Sequence, residues 1–289
     1  MFRFLVFCLL FTEATVAFIL KCGYVKVPFH GRKANASEPM EAEEADSRSF
    51  PWTVLITGRS KHKDIPMCVG SLITSGAVTK TYYALTSASC IHSTKPAKIN
   101  VFYRDLNKSE EMIYKKVKVQ RVLVPQIASP STKYFGRNIG LLKVEVPIPM
   151  SEYSHVVCLP SEEDSIANAT TCFVNYMHAS QPVNPKNISV YQMQPKLLDN
   201  MECENEYSQP TPANTVCLSD SEGREGMIKD GAPLVCRIRK RYTIFGLLDI
   251  QTTANASMFT NVLKHLRFVQ FLRNTGQQNG AERVFVRMD

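Results

Sequence analysis

EGMIKDGAPLVC, residues 225–236, is the stretch on which the reading of this chain turns. Gly231 and Pro233 lead into Leu234, Val235 and Cys236, the pattern of a tight turn that feeds a buried strand. Glycine, proline and cysteine stand as they would in a loop that presents a catalytic nucleophile. The position ahead of the glycine, however, holds Asp230, and neither serine nor cysteine stands there. The stretch therefore reads either as an active-site loop or as what remains of one.

Working outward, short runs of β-branched and aromatic residues recur on both sides of it. PWTVLI, CVGSLIT, YYALTS, KINVFY, KKVKVQRVLV, NIGLLKVEV, TCFVNYM, SVYQMQPKLL, APLVC and YTIFGLL are separated by Asn, Ser, Pro and charged turns at fairly regular spacing. Many short strands of this kind predict an all-β barrel or sandwich. A helix is expected only over residues 261–272, where Val262, Leu266, Val269 and Leu272 form one stripe behind Asn261 as N-cap, and as a short turn near residues 199–207. Residues 23–49 read as an exposed connector and the last residues, 276–289, as a loose tail.

The chain has 289 residues, 44% of them hydrophobic, enough for a sizeable core. Residues 1–17 carry one Arg, an apolar run and small residues before a cut after Ala17, the pattern of a secretory signal. No later stretch reaches the roughly 18 apolar residues of a membrane span. Removing Cys8 with the signal leaves an even set: Cys22, Cys68, Cys90, Cys158, Cys172, Cys203, Cys217 and Cys236. In an exported chain these read as four disulfides, and no CxxC pair argues for a metal site. Sequons at Asn35, Asn107, Asn168, Asn187 and Asn255 point to glycosylation and a secreted, extracellular protein.

A net charge of +8 raises the question of nucleic acid, but export and the absence of any RNP, zinc-finger or basic-helix pattern oppose it. The sharpest basic cluster, RIRKR, places Arg237, Arg239, Lys240 and Arg241 between two strands; it reads as a solvated hairpin turn or as a site for a sulfated glycan or an acidic partner. Lys115, Lys116, Lys118 and Arg121 alternate with valines and read as the wet face of a strand.

SFPWTVLI, CVGSLIT, YALTSASC, RNIGLLKVEVPI, VVCLP, TCFVNYM, MECENEY, IKDGAPLVC and MFTNVLKHLRFVQFL follow one another in an order that resembles the chymotrypsin-like serine proteases, over about residues 49–272. The resemblance implies two packed six-stranded antiparallel β-barrels with a C-terminal helix. The domain would span residues 49–275, behind a propeptide-like segment at residues 18–48. It also implies the bridges Cys22–Cys158, Cys68–Cys90, Cys172–Cys236 and Cys203–Cys217, the first of them like the tether of a propeptide. The family's bridge beside the nucleophile is missing, since its first cysteine would fall at Gly226.

In that family a hydroxyl attacks, an imidazole takes its proton and a carboxylate fixes the imidazole's tautomer. The resemblance places Ser89 of LTSASC at the imidazole position, Asn138 of RNIGLL at the carboxylate position and Asp230 at the nucleophile. Lys229 stands for the neighbouring buried acid, Ile228 for the oxyanion-loop glycine and Arg224 at the floor of the specificity pocket. The activation cut would fall between Glu38 and Pro39, and Lys229 would repel the amine it released. The reading is a secreted serine protease homologue without protease activity or cofactor. Such homologues act by binding a protease, an inhibitor or a protease substrate, in immune cascades or reproductive fluids. Two alternatives are a sulfated-glycan or matrix-binding module using Arg237, Arg239, Lys240 and Arg241, and a residual hydrolase using Ser89 with Asp230 or Lys229.

Overall fold

The computed structural model describes residues 22–25, 42–46, 48–74, 79–126, 136–207, 211–219, 230–251, 256–275 and 283–286. The signal at residues 1–17, Asn35, Arg224, Lys229 and Asn255 lie outside the described residues. No described helix is long and apolar enough to cross a membrane, which leaves strand-built spans unaddressed.

Two sheets carry the chain. The first runs β6 (Met112–Pro125), β5 (Ile99–Leu106), β2 (Thr53–Ser60), β3 (Lys63–Ile73), β4 (Lys80–Thr86) and β7 (Gly140–Pro149). Pairing of β6 with β7 closes these six antiparallel strands into a barrel. Its interior is aliphatic: Val54, Ile56, Leu72, Ala84, Val101 and Leu142, which the strand register puts on one face, are all buried. Closure removes the exposed sheet edges that would otherwise invite pairing with another chain.

The second sheet orders β9 (Ile188–Met193), β8 (Cys172–Ala179), β11 (Pro233–Ile238), β12 (Arg241–Gln251), β13 (Ala256–Asn261) and β10 (Thr215–Ser219), again antiparallel. Phe50 joins the bodies: its ring lies edge-on to Trp52 of the chain entering β2 and to Phe173 of β8, at 6.0 and 5.5 Å between centroids. Four disulfides form with the pairing the resemblance implied.

Four expectations are corrected. The connector is not wholly exposed: β1 (Glu43–Glu44) pairs with β9, and Ala42 before it is buried. The tail is not wholly loose, because β14 (Arg283–Val286) lies parallel to β6 along Val122–Pro125. Its RVFV is a β-branched and aromatic run that takes the stretch of β6 left unpaired by β5 beyond Lys118. Arg121 is not on the wet face. A register shift between Val119 and Arg121 turns its side chain inward, so it is buried where Lys115, Lys116 and Lys118 stay exposed. The run SVYQMQPKLL stays in the β8 ladder only to Met193 and leaves it before Pro195, which has no N–H to donate; Leu197 and Leu198 then meet Leu218 and Cys217 of β10.

Helices are few. α1 (Ala88–Ile91) follows β4, α2 (Asn200–Tyr207) carries Cys203, and α3 (Leu266–Thr275) closes the domain after a 3-10 turn, Leu263–His265. Asn261 caps that turn by accepting from the backbone N–H of Leu263 at 3.0 Å. The expected stripe faces inward at Val262 and Val269, joined by Phe268.

The N-terminal segment is threaded into the second body. Gly23 donates to Val156 O at 2.8 Å and accepts from Tyr242 N at 2.9 Å, next to the Cys22–Cys158 bridge. Its φ of +65° and the Tyr242 carbonyl, 2.1 Å from where a Cβ would stand, admit only glycine. Replacing Cys22 and Cys158 with alanine should lower stability by about 2–5 kcal/mol, because the bridge closes a loop of 136 residues. Urea unfolding of the double variant against the parent would show it, and an unchanged midpoint would mean that the backbone bonds at Gly23 alone hold the segment.

Candidate functional site

The groups at issue come from four segments. β4 ends at Thr86 and turns into α1 through Ser87. The natural N-cap of that short helix is Ser87, but its hydroxyl donates instead to Leu248 O of β12 at 2.6 Å. A side chain 49 residues away replaces it: Asn138 Oδ1 accepts from Ser89 N at 2.8 Å. Asn138 Nδ2 donates back to Ser89 Oγ at 2.9 Å, so backbone and hydroxyl of Ser89 are both tied to one amide. Asn138 is buried and Ser89 exposed, so the hydroxyl sits at the surface over a buried anchor.

Beyond Asn138 lies a second layer. Asn138 N donates to Thr260 Oγ1 at 3.0 Å, and Thr260 Oγ1 donates to Asp249 Oδ2 at 3.1 Å. The same carboxylate oxygen accepts from Gly136 N at 2.6 Å. Burial raises the pKa of Asp249, while the bonds from Gly136, Asn138 and Thr260 pull it down. The Gly136 carbonyl in turn accepts from Asn214 Nδ2 at 2.6 Å and meets His265 Nε2 at 2.7 Å. Asp249 was not singled out in the sequence, although a lone carboxylate ending the apolar run YTIFGLL is a usable signal.

Asp230 arrives from the other side. Its carbonyl accepts from Val69 N of β3 at 2.8 Å. Gly231, at φ +74°, packs so closely that a Cβ would stand 2.3 Å from Thr86 Oγ1 and 2.4 Å from Val69 O. The loop is thereby pressed against Thr86 and Ser87, two residues before Ser89. The Asp230 side chain is exposed, yet the packing around it still removes water from the carboxyl and raises its pKa.

The structure thus brings Ser89 and Asn138 into contact and seats the Asp230 backbone on the same seam. Among the described residues the Ser89 hydroxyl bonds to an amide, which neither takes up nor releases a proton near neutral pH. Arg237, Arg239, Lys240 and Arg241 are exposed and lie apart from this seam, at the far end of β11, about 13–20 Å along the strand from Pro233. Arg239 and Lys240 hold φ of +48° and +67°, forming the two-residue turn, and Arg239 reaches Glu163 at 3.5 Å. Asn107, Asn168 and Asn187 all sit on turns, the last two exposed. Among the described residues, no group of three or more His, Cys, Asp or Glu is placed to hold a metal.

A family model described as Trypsin matches residues 40–258.

Gly231→Ala should cost on the order of 2–4 kcal/mol through backbone strain and overlap with Thr86 and Val69, read as a lowered melting temperature. A parent-like melt would show that the seam is soft. A second expectation concerns His265, whose pKa burial pushes below the ordinary 6.5, against the upward pull of Gly136 O. The unfolded chain binds the proton more tightly, so this contribution to stability is complete above pH 6.5 and is lost as pH falls toward the lowered value. The melting temperature of the parent should fall more steeply between pH 7 and 5 than that of His265→Gln; parallel profiles would exclude the imidazole as the cause.

Proposed function

We propose, for a chain that belongs to the trypsin family, a role in binding rather than hydrolysis: a secreted, non-catalytic serine protease homologue that acts as cofactor, decoy or regulator in an extracellular protease network. The observation that carries this reading is the reciprocal bonding of Ser89 to the Asn138 amide, at the two positions where the family places its base and the acid that orients it. A hydroxyl in that place cannot relay a proton from a nucleophile without a base of its own, and the amide supplies none. Asp230, at the nucleophile position, is a poor attacking group for peptide bonds and a feeble base toward serine.

The same substitutions define what the groove offers. By motif order, Arg224, Lys229 and Asp230 take the places of the family's pocket floor, buried acid and nucleophile, and a cleft bearing these charges would take an acidic peptide segment from a protease, an inhibitor or a protease substrate. Four disulfides and a leader-like N-terminus support export, and Asn168 and Asn187 are exposed on turns that can carry glycans. The setting is an immune cascade or a reproductive fluid.

The deciding experiment pairs two readouts on the secreted, glycosylated chain. Incubated with fluorogenic peptide amides bearing basic, apolar or acidic side chains before the scissile bond, it should turn over none faster than the Ser89→Ala/Asp230→Ala variant does. Cross-linked mildly in its native fluid, it should retain a protease, an inhibitor or a protease substrate. Hydrolysis that disappears in that variant would sink the reading.

A further inference from the structure

Lysines that look unremarkable along the sequence converge on one face of the first barrel. Gly58 of β2 pairs with Ile99 of β5, so Arg59 and Lys98 flank that pair side by side. Asn100 of β5 pairs with Lys118 of β6, and Phe102 with Lys116, which puts both lysines on the face that carries Asn100. The 3-10 turn Pro185–Asn187, with Lys186, packs against β6, and Val183 N just before it donates to Asp64 O at 2.9 Å. Five cations from four separate segments therefore share a surface, and Arg59, Lys98, Lys116, Lys118 and Lys186 are all exposed.

Only one acid meets them among the described residues. Asp64 lies opposite Arg59, accepts from Asn100 Nδ2 at 2.6 Å and pairs with Lys116 Nζ at 2.8 Å. Lys116 also stands 5.8 Å over the Phe102 ring. These contacts fix the Lys116 ammonium in place and leave the face strongly positive. The basic hairpin at residues 237–241 also has one cation paired, Arg239 with Glu163, but there the partner belongs to a run of three acids, Glu162, Glu163 and Asp164, against the single Asp64 of the barrel face.

We propose that this face, and not the 237–241 hairpin, is a binding site for a sulfated polysaccharide. Two observations select that ligand over an acidic protein. The cations are mostly lysines, compact ammonium charges suited to sulfate groups spaced along a flexible polymer. None of the exposed large apolar side chains, Tyr24, Val146, Leu197, Met201, Phe271 and Phe285, lies on these segments, so the face lacks the apolar anchors at the centre of a protein interface. The inference rests on the fold and its charges and is independent of whether the chain hydrolyses peptides.

The test is retention of the full secreted chain on immobilised heparin, against a plain sulfonate cation exchanger. The parent should elute from heparin at clearly higher salt than from the exchanger. Arg59→Gln/Lys116→Gln/Lys118→Gln should lose that difference, with the slope of log affinity against log salt reduced by about two to three units, on the order of one per cation. Lys98→Gln/Lys186→Gln, which breaks no pair with an acid, should lower retention partway and serves if the triple variant melts early. The Arg237→Gln/Arg239→Gln/Lys240→Gln/Arg241→Gln variant should keep the parent's excess retention. Equal elution of the parent from both matrices would overturn the proposal, as would equal losses in the face and hairpin variants. Displacement by poly-glutamate as effective as by soluble heparin at matched charge would overturn it in favour of an acidic protein.

Discussion

The backbone at Gly231 is the constraint on which the rest of the site depends. A left-handed residue with no room for a Cβ lets the second sheet's loop lie directly on the ends of β3 and β4, where Val69 N meets Asp230 O. That contact sets where Thr86 and Ser87 stand. With Ser87 drawn to Leu248 O, α1 loses its local cap and recruits Asn138 across the barrel. One steric requirement thus propagates through three hydrogen bonds into the position of Ser89. Both bodies contribute: β3, β4 and the start of β7 from the first, and the 230–231 loop and β12 from the second.

Much of this architecture is legible in the sequence because strands buried on one face must alternate, and Gly and Pro must punctuate them. Each run from PWTVLI to YTIFGLL contains a strand, SVYQMQPKLL only as far as Met193. What escaped has physical reasons. TVCLS in β10 is five residues long with a bridged cysteine at its centre, and ASMFTN in β13 runs straight into the helix signal that begins at Asn261. RVFV in β14 finds its partner more than 150 residues earlier in the chain, which no local pattern encodes. Arg121 was misplaced because a bulge breaks the two-residue period, and a period-based reading has no means of sensing one extra residue.

The site was legible by a different route. Order of motifs, not periodicity, assigned Ser89, Asn138 and Asp230 to one place, and the fold brings their segments together. What order could not supply was the second layer. Asp249, Thr260, Gly136, Asn214 and His265 form a polar chain under Asn138 whose members lie up to 129 residues apart. Such networks are written in tertiary geometry, and each member alone looks like an ordinary surface or strand residue. The disulfides show the converse: four pairings among eight cysteines are beyond spacing arguments, yet motif order delivered all of them.

A buried polar network that is well satisfied stabilises one arrangement, whereas catalytic groups have to be held poised for proton transfer. In this chain the amide of Asn138 binds both the N–H and the hydroxyl of Ser89, and the layer below holds the Asn138 backbone N–H through Thr260 and its Nδ2 through Asp249 O at 3.4 Å. On the proposed reading, residues that held reacting groups now stiffen the seam between the bodies, and the surfaces left for recognition are set by charge. Those surfaces are carried by different elements: the groove by the seam and its loops, and the lysine face by the outer side of β2, β5 and β6. The two proposals draw on different residues, so a partner at the seam and a polyanion on the barrel would not compete for a single side chain.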